Sequence, residues 1–146
     1  MSPEDFEDPA VEARWLDERL KSIRDYLGRE GVKHGPIEDR PRWFRAPYVG
    51  LWFVAPPSRA AKGWWVITGD LPTDYMSAVD VEDAREAMRA FSARWERLGG
   101  EMMAGQEDPE LQIGRPEDKA EQRKLGDLLL QRARILAEWA EDESLW

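Results

Sequence analysis

The stretch Gly63-Trp64-Trp65-Val66-Ile67-Thr68-Gly69-Asp70-Leu71-Pro72-Thr73-Asp74-Tyr75 constrains the fold more than any other part of the chain. Trp64 to Ile67 form an unbroken run of aromatic and β-branched residues, a length and composition that select a strand over a helix. No polar residue alternates within the run, so both faces of this strand are expected to be covered. Gly69 then permits backbone angles closed to other residues, and Pro72 holds Leu71 extended. The chain is expected to leave the sheet here and to display Thr68, Asp70, Thr73, Asp74 and Tyr75 in a polar strand-end turn.

Loops at strand ends are where rigid scaffolds present binding groups. With Trp64, Trp65 and Arg45, these five residues make up the candidate binding site. Asp70 and Asp74 can be read as a carboxylate pair for a hard metal ion or for acid–base work. They can also be read as turn residues whose side chains, with that of Thr73, accept from nearby backbone N–H groups. Such side-chain-to-backbone bonds are so common around prolines and glycines that the structural reading carries the greater weight.

Written as the pattern GWWxI(S/T)GDLPTDY, this block resembles the signature of a small bacterial domain family of unknown function. The resemblance implies a shared fold unit. It carries no catalytic residue over to this chain.

The 146 residues suit one domain with a proper core. There is no cysteine, which removes disulfides, thiolate zinc sites and cysteine nucleophiles together and fits a reducing compartment. Met1 to Asp8 is acidic without an apolar centre, unlike a signal peptide, and no run reaches the roughly 18 apolar residues of a membrane span. A cytoplasmic protein with no membrane association is expected. Phosphate-binding glycine loops, zinc motifs, nucleophile elbows and dinucleotide fingerprints do not occur, so no metal and no cofactor are expected.

Thirty acidic against 21 basic residues give a net charge of −9. Arg40 to Gly69 nevertheless holds five basic residues and no acidic one, interleaved with aromatics. That combination can stack bases and hold phosphates. A whole-domain basic footprint is missing, however, so nucleic acid ranks low among the partners. The arginines can equally pair with acidic helices within the domain, which fits the charge balance better, and an acidic helical surface facing a basic partner is the more natural inference than nucleic acid.

In chain order, residues 1–8 read as a disordered acidic N-terminus and 9–146 as a single α+β domain. Asp8-Pro9 is a helix start, and Val11, Trp15, Leu16, Leu20, Ile23 and Leu27 form one apolar stripe over about residues 9 to 29. The one histidine, His34, lies between glycines without ligand-type neighbours and reads as a loop residue. Arg42 to Arg45 and Tyr48 to Val54 read as strands, the second pairing antiparallel with the Trp64 run across a long loop that carries Arg59 and Lys62. Asp80 is the expected cap of a second helix with Ala84, Ala87, Met88, Phe91, Trp95 and Leu98 inside, ended by Gly99-Gly100. Leu111 to Ile113 could add a short edge strand. Pro116 is the expected start of a third helix with Glu117 and Asp118 in its first turn, buried through Leu125, Leu128, Leu129, Leu136 and Trp139. Trp146 either docks against the body or anchors a partner, and docking is favoured.

The fold class is therefore α+β: a small antiparallel sheet of two to four strands against about three helices, in helix–strands–helix–helix order. A homodimer would cover a sheet face that three helices leave over. Three functions remain. A non-enzymatic protein-interaction or inhibitor-like module leads. A small-molecule or metal-binding enzyme built on the Asp70–Tyr75 turn, with Arg45 or His34 joining it, comes second. Nucleic-acid binding through the basic aromatic 40–65 region is third.

Overall fold

The computed structural model describes residues 4–106 and 118–146. They fall into two compact units, Met1–Val79 and Asp80–Trp146. The order is helix, four strands, helix, helix, so the α+β class and the antiparallel sheet are as expected.

In the first unit α1 runs from Pro9 to Arg29, its N-terminus capped by the Asp8 carboxylate, which accepts from the Ala10 N–H at 2.9 Å. Trp15, Leu16, Ile23 and Leu27 of the predicted stripe are buried, joined by Tyr26. Strands β1 (Trp43–Arg45), β2 (Val49–Val54), β3 (Trp64–Gly69) and β4 (Leu71–Ser77) form one antiparallel sheet in sequence order. Trp52, Val54 and Val66 of that sheet pack with α1 in a single apolar cluster, and Phe44, Trp64 and Tyr75 border it. Residues of both parities are buried in β2 and β3, as the absence of polar alternation requires.

The fourth strand corrects the sequence reading. Leu71 to Tyr75 is not a strand-end turn; the chain reverses across Gly69 and Asp70 and re-enters the sheet at once as β4. Gly69 has φ of 145°, and a side chain there would run into the Tyr48 carbonyl, so the reversal needs glycine. Pro72 is tolerated because β4 is an edge strand and because it lies in a bulge, where Pro72 and Thr73 together face Thr68.

In the second unit α2 (Ala84–Met103) and α3 (Lys119–Glu141) pack as an antiparallel pair, followed by a 3₁₀ turn at Glu143–Leu145. Both caps differ from expectation. Asp83, not Asp80, caps α2 by accepting from the Glu86 N–H, and Asp80 takes a left-handed turn conformation with φ of 60°. Asp118 is the cap of α3, accepting from the Glu121 N–H, rather than a first-turn residue. In both places an Asp precedes a Glu by three positions, the spacing of a capping box. The possible strand at 111–113 and the proposed start at Pro116 lie outside the described residues.

Gly99-Gly100 does not end α2, which runs on to Met103. Gly99 is where the helix approaches its neighbour: a Cβ there would lie 2.8 Å from the Gly126 carbonyl oxygen. Ser92 Oγ donates to the Ala133 carbonyl at 2.7 Å, and Arg85 Nε donates to the Ala140 carbonyl at 2.7 Å. Contacts thus recur seven residues on in α2 and seven back in α3. A seven-residue step keeps one seam in register between two helices, and small residues on that seam let the backbones close up. Leu129 and Leu136 flank it and are buried, whereas Leu125, Leu128 and Trp139 are only half-buried.

Candidate functional site

Successive side chains on a strand point to opposite faces of the sheet, and this alternation divides the candidate residues. Val66 pairs with Tyr75 and Trp64 with Ser77, so Trp64 and Tyr75 share the face that packs on α1. Their rings meet edge to face at 5.6 Å, and Tyr26 of α1 meets Tyr75 at 5.9 Å. Thr68 and Thr73 lie on the same face, their hydroxyls 3.0 Å apart, with Thr68 fully buried. Ile67 pairs with Asp74 and Trp65 with Met76, which places Asp74 and Trp65 on the opposite face.

Asp74 is fully buried there, and its Oδ1 accepts from the Tyr75 N–H at 2.9 Å. Asp70 is exposed in the reversal between β3 and β4, where its N–H donates to the Tyr48 carbonyl at 2.9 Å. The two carboxylates therefore occupy unlike settings, one in the body of the sheet and one at its end. Arg45 is exposed on β1, at the other side of the sheet in strand order. Among the described residues no group of three or more His, Asp or Glu side chains is arranged to hold a metal ion. His34 belongs to the loop after α1, its Nδ1–H donating to the neighbouring Gly35 carbonyl at 2.6 Å. What converges from the candidate set is thus a hydroxyl pair and an aromatic pair on the α1 face.

Trp52 was not singled out by sequence pattern, yet it stands out on that face. It is fully buried, and its indole Nε1 has no hydrogen-bond partner. Its ring leans towards Gly50, which pairs across the ladder with Thr68. Composition cannot reveal this, because a tryptophan in an apolar run reads as core whichever way its indole N–H points.

In the basic aromatic region Trp52 and Trp65 are buried, whereas Arg40, Arg42, Arg45, Arg59 and Lys62 are exposed. The Arg42 guanidinium stacks over the Phe53 ring at 4.9 Å and binds both carboxylate oxygens of Glu38, which hold the Arg42 pKa above its ordinary value. In the second unit Arg85 and Arg89 bind Glu143 and Glu141, holding those carboxyls below the usual glutamate range. Trp146 docks in part beside them: its Nε1 donates to the Trp139 carbonyl at 3.0 Å and its ring lies 6.0 Å from the Arg85 guanidinium carbon.

Charge is distributed differently from the sequence reading. Each helix is nearly balanced, with five basic and four acidic residues in α1, four and three in α2, and five and four in α3. The negative excess lies in the ends and connections, as at exposed Glu4, Asp5, Asp8, Asp80, Glu82, Asp142 and Glu143. The helices are not where this protein's net negative charge lies.

A family model for a domain of unknown function (DUF4826) matches residues 9–146. The chain belongs to this family. The family span opens on the first residue of α1 and takes in both compact units. No curated protein and no solved structure matches the chain. Among the described residues no helix is long and apolar enough to cross a membrane.

Proposed function

We propose that this chain is a non-enzymatic protein-interaction module that meets a basic partner through its acidic ends and connections. The supporting observation is the placement of charge. Balanced helices form the body, while exposed acidic residues gather at Glu4 to Asp8, at Asp80 to Asp83 and at Asp142-Glu143. Charge gathered on exposed segments steers encounter with an oppositely charged surface and sets specificity. The division of Asp70, Asp74 and the threonines among different settings supports the same reading, since catalysis needs its groups within hydrogen-bond reach of one reacting atom.

The test is affinity capture from nuclease-treated lysate with the tagged protein, washed across a salt gradient, beside a variant with Glu4, Asp5 and Glu7 changed to their amides. A stoichiometric basic partner, released by salt and weakened by the variant, is the expected result. A parallel thermal-shift screen with metal ions and metabolites provides the counter-case. A ligand that stabilises wild type but not Thr73→Val or Asp70→Asn, with no protein captured, would replace this proposal with the enzyme reading.

A further inference from the structure

We propose that the connection between β2 and β3 is a processing site for an endoprotease of the trypsin class, cut between Arg59 and Ala60. Such an enzyme takes one basic side chain into its specificity pocket and attacks the carbonyl of that residue. The segment around the bond must be free to leave its native contacts, so exposed loop tips of small and polar residues are where chains are nicked. Every position from Pro57 to Lys62 is exposed. Among the described residues, 56–62 make no backbone hydrogen bond to another segment. The turn bond within them, from the Ala61 N–H to the Ser58 carbonyl, is long at 3.3 Å.

The other basic positions are protected. Most arginines and lysines lie in α1, α2 and α3, where the backbone is tied into the helix. Arg40 and Arg115 precede Pro41 and Pro116, and a bond to proline lacks the N–H and is held at fixed φ. The Arg42 N–H donates to the Leu51 carbonyl and the Arg45 carbonyl accepts from the Tyr48 N–H, both at 2.8 Å. Lys33 is exposed, yet its flanks are tied by the Val32 N–H to Leu27 at 3.0 Å and by the Gly35 N–H to Ala55 at 2.8 Å. Lys62 shares the loop with Arg59, but Gly63 after it is buried and its carbonyl accepts from the Ala78 N–H at 2.9 Å. Arg59 thus stands apart as the basic residue with a free bond on either side.

Hydrolysis adds water across the Arg59–Ala60 C–N bond, leaving a carboxylate on Arg59 and an ammonium on Ala60 without any redox change. The sheet survives the cut. Val49 to Val54 stay paired with Trp64 to Gly69, and Trp52 and Val54 before the cut share one apolar cluster with Val66 after it. The product is a two-chain protein held together by its core.

The experiment is limited trypsin digestion of the intact folded protein, read by intact-mass spectrometry and gel filtration. Fragments 1–59 and 60–146 are expected first, eluting together at the position of the uncut chain and separating only in denaturant. Arg59→Gln should slow the first cut several-fold, and Arg59→Lys should retain cutting at that bond. A first cut at any other basic residue, an unchanged rate in Arg59→Gln, or fragments that part without denaturant would overturn the proposal.

Discussion

Asp74 and Asp70 stand four positions apart and meet different conditions. The Asp74 carboxylate is buried and bonded to the Tyr75 N–H, whereas the Asp70 side chain is exposed where the hairpin reverses. Removing one partner of a buried hydrogen bond leaves the other unsatisfied, at a cost of about 1–3 kcal/mol. Asp74→Ala is therefore expected to lose about 1–3 kcal/mol in urea unfolding and Asp70→Ala about 1 kcal/mol or less. An Asp74→Ala variant as stable as wild type would mean that the carboxylate is held against the interests of the fold, as a functional group would be. The residue identities of the candidate site were legible in the sequence. Their division was not, because Gly69 and Pro72 read as the end of a strand, and a turn has no alternation to separate Thr73 and Tyr75 from Asp74.

At the scale of elements, two adjacent glycines in α2 make opposite predictions. Gly99 is buried against the Gly126 carbonyl and Leu130, while a Cβ at Gly100 would meet nothing within 4 Å. Overpacking a closed seam costs about 1–3 kcal/mol, and replacing an exposed helical glycine by alanine gains about 0.5–1 kcal/mol. Gly99→Ala should thus lower the thermal midpoint and Gly100→Ala raise it. Two midpoints shifting in the same direction would contradict the seven-residue seam. The helices themselves were legible from their apolar spacing, α1 to the residue. The seam was not, because Gly126, Ala133 and Ala140 carry no hydrophobic signal, and a Gly-Gly pair ordinarily marks a helix stop.

At the scale of the whole molecule, acid removes the stability that two carboxylate–arginine pairs contribute. Glu141 and Glu143 have lowered pKa values in the folded protein, from their bonds to Arg89 and Arg85 respectively. A group whose folded pKa is depressed contributes stability that is present above its unfolded value, about 4.3 for glutamate, and is lost as pH falls through the folded value. Carboxyl NMR titrations should show both midpoints below that value, followed by release of the Trp146 ring from Arg85. Midpoints at the ordinary value would show that the C-terminal contacts are absent in solution. Net charge was legible at this scale and its location was not. Caps, reversals and chain ends attract aspartate and glutamate for local reasons, so the acidity gathers between the helices rather than along them.

The extra residue opposite Thr68 also bears on how the length of this chain can vary. Because Pro72 and Thr73 together face one partner, removing Pro72 would leave an unbroken ladder in which Asp74 and Tyr75 keep their present sides. Removing a residue between Ile67 and Gly69, or after Asp74, would exchange inside for outside along the rest of the hairpin. The sheet thus has one position of slack, and the Pro72 deletion should remain folded by far-ultraviolet dichroism where a Met76 deletion does not. Natural variants one residue shorter in this hairpin would be expected to have lost their residue at that position.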